Sequence, residues 1–161
     1  MAVVFELSVC FESQEARDRA ALIAARQAPI PAGRHRIPLH GPFRIGTRVL
    51  EIRPIAVSHG TRGMDGTLPP FELTYEEETL LGHGLYQLLA KFDCYLTAQV
   101  GWDPDRFLGV PYEEEEWAPE LAAGDLDGLV LAEPLVQKLS VGGEFFMPFA
   151  PGFMWIPWQG R

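Results

Sequence analysis

The last eighteen residues restrict the possible folds more than any other part of the sequence. They read E-F-F-M-P-F-A-P-G-F-M-W-I-P-W-Q-G-R, with six Phe or Trp, three Pro and no charge between Glu144 and Arg161. The prolines exclude a regular helix, because proline lacks the backbone N–H and clashes with the preceding turn. A free tail of this composition would expose more apolar surface than monomeric proteins usually tolerate. We therefore expect the segment to form part of the protein's own core.

Within this segment we predict two extended pieces, residues 145–149 and 153–156, joined by a turn at residues 150–152. They are expected to lie against a sheet, and Pro157 suits an edge or the end of a strand. A membrane anchor would need flanking Lys or Arg and a helical pattern, so none is expected here. Trp158 is the residue of the segment that we expect to face a binding partner.

Length and composition indicate one folded domain that spans residues 1–161. The chain is 47% hydrophobic and 22% charged, which is typical of a globular protein. Its first ten residues carry no base ahead of the apolar run, and Glu6 interrupts that run, so no targeting segment is predicted. Cys10 and Cys94 are too few for a disulfide framework, which favours a cytoplasmic location.

The first half of the sequence alternates between strand and helix patterns. Residues 2–11 predict a central strand, and Ser13 can cap an Ala-rich helix that begins at Gln14. Residues 34–59 predict two or three strands, with turns near Gly41-Pro42 and Gly46. The mixed polar and apolar pattern of residues 47–53 suits an outer strand, and residues 58–70 predict a Gly-rich loop.

The second half begins with the best specified helix, residues 74–92. Thr74 and Glu77 have the spacing of a capping box, and an apolar stripe follows. Gly82 and Gly84 interrupt this helix, which predicts close approach of another backbone. The remaining elements are a strand at 94–102, a short helix at 103–108, an acidic loop at 113–116, a strand at 128–132 and a helix at 133–139. This order predicts an α+β fold: a mixed, mostly antiparallel sheet with the two long helices packed on one face.

Charge is distributed unevenly along the chain. The net charge of -9 argues against nucleic acid as a partner. Residues 1–62 hold nine Arg and five acids, whereas residues 63–161 hold four bases and seventeen acids. Within the Arg-rich segment 34–53, some guanidinium groups are expected to pair with acids of the second half, and binding of an anion is the alternative. The Arg residues concerned are Arg34, Arg36, Arg44, Arg48 and Arg53.

Motifs for common cofactors and metals are missing from the sequence. No phosphate-binding G-x-x-x-x-G-K or G-x-G-x-x-G follows a strand. No H-E-x-x-H or C-x-x-C occurs. Residues 125–128 resemble the start of a calcium loop, but Val136 stands where the bidentate Glu is needed. We therefore predict no cofactor and no metal site.

The strongest functional indication is the run Y-E-E-E-E-W, which we call the acidic run. Four adjacent carboxylates repel one another, so folding alone gives no reason for them. They form either a solvated turn or a recognition loop with aromatic anchors. The second interpretation predicts a non-enzymatic acidic protein that docks on a basic protein partner, and toxin-neutralising immunity proteins have a similar size and charge. The predicted binding residues are Tyr112, Glu113, Glu114, Glu115, Glu116, Trp117 and Trp158.

Two other functions remain open. The first is a small hydrolase or ligand-binding domain with a site near the Gly-rich loop 58–66, which would use His59, Asp65 and His83. It requires these side chains to converge beside a cleft. The second is a homodimer formed by pairing of an outer strand at residues 47–53.

Overall fold

The computed structural model of the chain describes residues 3–55, 58–59, 72–102, 104 and 111–160. For residues 3, 58, 59 and 111–114 it describes the backbone alone. The predicted helix at 103–108 and most of the predicted loop at 58–70 therefore lie outside the described residues. Ser58 and His59, placed in that loop by prediction, instead form a short strand.

The central strand is β1, Val3–Phe11, as predicted. Its odd-numbered side chains from Phe5 to Phe11 are buried in the main core, as expected for a strand whose side chains alternate between two faces. It pairs antiparallel with β5, Val49–Pro54, on one side and with β7, Tyr95–Trp102, on the other. The short β6, Ser58–His59, pairs with its first residues.

The remaining strands of the described residues are β2 Ile30–Ala32, β3 His35–Ile37, β4 Leu39–Ile45, β8 Val130–Ala132, β9 Met147–Ala150 and β10 Phe153–Trp155. The main sheet has the order β4-β5-β1-β7-β8-β10-β9, and every described pair is antiparallel. A separate hairpin joins β2 to β3. Together with four helices in the described part of the chain, this confirms the predicted α+β class.

The helices are α1 Gln14–Ala25, α2 Tyr75–Leu89, α3 Pro111–Ala123 and α4 Glu133–Lys138. Ser13 caps α1 by accepting a hydrogen bond from the Ala16 N–H, and Thr74 and Glu77 form the predicted capping box of α2. The buried Ala residues of α1 and the buried Leu and Tyr residues of α2 belong to the same cluster as the odd-numbered residues of β1 from Phe5 to Phe11. That the two helices share one face of the sheet stays a prediction. A second cluster includes Leu121 of α3, Leu131 of β8 and Val136 of α4.

Residues 34–53 differ from the prediction in two respects. β4 continues through Gly41-Pro42 with a shift of register between His40 and Phe43, so this dipeptide lies in a bulge and not in a turn. β5 lies between β4 and β1, so residues 47–53 are not an outer strand. Its charged residues were misleading because Glu51 is fully buried and forms an ion pair with Arg53. Both sides of β5 are paired, which leaves no edge there for a homodimer.

The acidic run belongs to α3 and not to a loop. Glu favours helix, and Pro111 stands at the first helical position, where its missing N–H has no consequence. The prediction of an acidic loop was therefore wrong about the backbone.

The aromatic tail forms the two predicted extended pieces with different bounds: Phe145 ends a short 3₁₀ helix, and the strands are Met147–Ala150 and Phe153–Trp155. β9 and β10 are joined by a turn at Pro151-Gly152, and β10 adds to the sheet beside β8, with Trp155 opposite Val130. The tail therefore extends the sheet and packs on both clusters.

Trp158 is largely buried, and whether it meets a partner stays a prediction. It is 7% exposed and belongs to the main core. Its indole lies over Gly82 of α2 and beside Gly128, so closely that a Cβ at either glycine would overlap the ring. A Cβ at Gly84 would overlap the side chain of Ile30. The two helix glycines thus accommodate side chains, and not another backbone as predicted.

The contact of Trp158 with α2 predicts the effect of Gly82→Ala. Alanine favours helix by about 1 kcal/mol, but the added methyl overpacks the core at a cost of about 1–3 kcal/mol, so we expect a net loss of up to about 2 kcal/mol. Trp158→Phe removes the ring atoms nearest Gly82, so in that background Gly82→Ala should cost about 1 kcal/mol less. Urea unfolding of the four proteins measures this difference. Equal costs in both backgrounds would show that the indole does not limit the space at Gly82.

The capping box predicts a pH dependence. The hydrogen bond from the Thr74 N–H, followed by the charge of Arg34, holds the pKa of the Glu77 carboxyl below its ordinary value. Its stabilising effect is therefore complete at neutral pH and is lost as the pH falls through the folded-state pKa. Glu77→Gln should be less stable than wild type at pH 7, with a difference that narrows below about pH 4. Glu76→Gln, in the same turn, is the control, and a pH-independent difference for Glu77→Gln would contradict the assignment.

Candidate functional site

The described part of the acidic run presents its charges to solvent. Glu115 and Glu116 are exposed, and Trp117 packs against the second cluster. The side chains of the preceding three residues of the run lie outside the described residues. Trp117 therefore anchors α3 to the protein, whereas Glu115 and Glu116 remain on its surface. No Lys or Arg occurs within residues 111–123, so nothing in the helix balances these like charges.

A groove of about 530 Å³ begins where α3 ends. The chain turns at Gly124 and continues into Asp125 and Asp127, which line the groove together with the last residues of β7 and with Gln159. We call it the Asp127 groove. Its volume lies in the range of about 300–1,000 Å³ that is usual for ligand sites. Sequence reasoning missed this groove, and it treated residues 125–128 as an ordinary turn.

Hydrogen bonds fix the walls of the Asp127 groove. The backbone N–H of Gln159 donates to Asp127 Oδ2 at 2.7 Å, and Gln99 Nε2 donates to the Asp127 carbonyl at 3.3 Å. The Tyr86 hydroxyl donates to the Gly128 carbonyl at 2.7 Å. Burial raises the pKa of Tyr86 well above its ordinary value, so the hydroxyl remains protonated as this bond requires. The groove is therefore held by its own internal bonds.

The chemistry of the Asp127 groove is acidic and aromatic. Asp125 is exposed at its edge, and Trp102 and Trp158 contribute to its lining. Asp127 Oδ1 is buried and has no hydrogen-bond partner among the described residues. None of the lining residues, all within the described part of the chain, is Lys or Arg. Such a surface suits a cation with several hydrogen-bond donors.

A buried ion cluster lies in the sheet near this groove. Arg53 Nε is 2.7 Å from Glu6 Oε2, its other end contacts Glu51, and the guanidinium lies 4.8 Å from the centre of the Phe43 ring. Burial acts to lower the pKa of Arg53, but the hydrogen bonds and charges of Glu6 and Glu51 outweigh it, and the pKa is raised. Glu6 lies opposite Gly101, which lines the Asp127 groove. The cluster joins β1 to β5, because Glu6 belongs to one strand and Arg53 to the other.

Sequence patterns alone did not reveal this cluster, although two signals for it were present. Glu6 interrupts an apolar central strand, and Glu51 and Arg53 share one face of β5. A charge in a buried strand requires a partner, and the spacing of Glu51 and Arg53 offers one.

The Arg-rich segment pairs with both halves of the chain. Arg34 Nε is 3.3 Å from Glu77 Oε1, which joins the two halves as predicted. Arg44 instead pairs with Asp18 at 3.3 Å, within the first half. Only part of the segment therefore neutralises acids of the second half.

The described residues do not test the alternative site around the Gly-rich loop. Asp65 and the side chain of His59 lie outside them, although the His59 backbone pairs with Val3. His83 is exposed on α2, edge-on to Trp158 with ring centres 5.5 Å apart, and it lines a groove of about 320 Å³. The convergence of the three residues stays a prediction.

Comparison of the chain with protein-family models, curated proteins and solved structures gives no match. Within the described residues, no helix is long and apolar enough to cross a membrane. Arguments about function therefore rest on the geometry and charge of the chain itself.

The ion cluster predicts the effect of Arg53→Met. This change removes the cation shared by two buried carboxylates, which should cost about 3–5 kcal/mol of stability. Adding Glu6→Gln and Glu51→Gln to Arg53→Met should recover part of the loss, because no charge of the cluster then remains buried. Urea unfolding of the single and triple variants measures both quantities. A cost below about 1 kcal/mol for Arg53→Met would show that the cluster does not hold β5 to β1.

Proposed function

We propose that the chain is a non-enzymatic binding protein that docks on a basic surface of a protein partner through its acidic C-terminal part. The observation that carries the proposal is the exposure of Glu115 and Glu116 on α3, directly ahead of the acidic Asp127 groove. Residues 111–160 contain nine acids and a single base, Lys138. Neutralisation of a basic toxin in the cytoplasm is one specific form of this function.

The energetics of α3 support a role in binding. The adjacent glutamates repel one another, and this repulsion lowers the stability of the isolated protein. A basic partner would relieve it, and the relief would occur only in the complex. Charges of this kind mainly accelerate association and make it dependent on salt.

An apolar contact is available next to α3. Phe145 is 37% exposed, and its ring lies against Gly124, immediately after the helix. Met147 follows on β9 and is 55% exposed. Interfaces usually combine an apolar centre with a charged rim. In the proposed complex Phe145 and Met147 supply the apolar centre, and the glutamates supply the rim.

The test is the exchange of all four glutamates of the acidic run, Glu113–Glu116, for Gln. A basic partner would be isolated on the immobilised chain at low salt, and its binding kinetics measured by surface plasmon resonance. We expect the affinity to fall by about tenfold, mainly through a slower association that also depends less on salt. Glutamine is a good helix former, so α3 should persist, and circular dichroism checks this.

The matched control removes four exposed acids elsewhere, Glu12, Glu15, Glu72 and Asp93, by exchange for their amides. It changes the net charge by the same amount and should reduce the affinity much less. A loss below about threefold in the Glu113–Glu116 variant, or equal losses in the two variants, would contradict a role for α3 in docking.

A further inference from the structure

The Asp127 groove contains more fixed acceptors than donors. Gln99 and Gln159 each use a side-chain N–H within the protein, to the carbonyls of Asp127 and Pro157 respectively. Neither side-chain oxygen accepts a hydrogen bond from the described residues. Each of these amides keeps one further N–H, but the carboxylates of Asp125 and Asp127 add acceptors and negative charge, so acceptors outnumber donors among these groups. The negative charge disfavours an anion and favours a cation rich in donors.

The aromatic lining adds a preference for a flat cation. Trp102 and Trp158 both line the groove. A guanidinium group stacks on aromatic rings, binds a carboxylate through two parallel hydrogen bonds and carries five N–H donors. An ammonium group has three donors and a tightly held hydration shell, so it gains less binding free energy from such a surface.

From these features we propose that the Asp127 groove receives an arginine side chain of the protein partner, with its guanidinium against the Asp127 carboxylate. This proposal rests on the proposed function, because it names the residue that the basic partner inserts. The exposed Asp125 at the edge would interact with the approaching cation, and Asp127 Oδ2 could accept a second hydrogen bond beside the one from the Gln159 N–H. The acidic α3 leads directly into this turn, so a partner that docks on α3 would bring its basic residues beside the groove.

The first test uses the full chain and single-residue probes. N-acetyl-L-arginine methylamide is titrated by tryptophan fluorescence and by amide NMR shifts, with the citrulline analogue as its neutral isostere. We expect saturable binding on the order of millimolar, because the probe is a single residue. NMR shifts should concentrate at Gln99, Gly101, Trp102 and Gln159, and citrulline should bind at least about tenfold more weakly. Shifts located elsewhere, or equal binding of citrulline, would overturn the proposal.

Two further probes test whether the groove prefers a guanidinium group and whether that group belongs to a protein or to free arginine. The lysine methylamide should bind more weakly than the arginine probe, and tighter binding of lysine would refute recognition of the guanidinium. Free arginine carries a carboxylate that Asp125 repels, so it should also bind more weakly. Tighter binding of free arginine would indicate a small-molecule site and not a site for a partner's side chain.

A single variant links the groove to the partner. Asp127→Asn keeps an oxygen that can accept a hydrogen bond from the Gln159 N–H, so the variant should still fold. The NMR shifts of the wild-type chain locate the bound probe without any variant. Asp127→Asn should lower the affinity for the arginine probe by about tenfold. Glu144 is an exposed acid outside the groove, and Glu144→Gln should change this affinity by less than about twofold. If Asp127→Asn binds the partner as well as wild type does, while the Glu113–Glu116 variant loses affinity, the groove proposal fails and the proposed function stands. If the Glu113–Glu116 variant loses no affinity for the partner, the proposed function itself fails.

Discussion

The contact of Trp158 with Gly82 determines how the end of the chain is placed. Because the indole occupies the space beside Gly82, where α2 has no side chain, the segment after β10 enters the main core instead of extending into solvent. The next residue, Gln159, is then in position to donate its N–H to Asp127. The Asp127 groove therefore depends on a packing contact made by Trp158, which also belongs to its lining.

The protein uses its charges in two physically different ways. In the ion cluster, the guanidinium of Arg53 neutralises carboxylates that the sheet has removed from water, so the charges join neighbouring strands. On α3, Glu115 and Glu116 remain hydrated, and no base lies in their helix. Buried charges must be compensated inside the protein, whereas exposed like charges can be compensated by another molecule. For this reason we regard the ion cluster as structural and propose that α3 takes part in recognition.

Sequence reasoning succeeded where the relevant signal is local. The Ser13 cap, the capping box at Thr74 and the proline-limited strands of the tail each depend on residues within a few positions of one another. It failed where distant residues decide the outcome. Residues 47–53 have the polarity of an outer strand only if Glu51 faces water, but the pairing of β5 with the distant β1 buries Glu51 beside Arg53. The acidic run was assigned to a loop because charge suggests exposure, but exposure does not distinguish a loop from a helix.

The candidate site was the least predictable part for the same reason. Gln99, Asp127 and Gln159 belong to three separate segments, and no motif relates them along the chain. Their common chemistry also arises only on folding, since hydrogen bonds to backbone carbonyls occupy an N–H of each amide and leave its oxygen as an acceptor. The sequence shows amides that could donate or accept, and folding uses one N–H of each while its oxygen stays available. The preference that we propose for a donor-rich cation is therefore a property of the tertiary structure, produced by the same tail whose burial the sequence did predict.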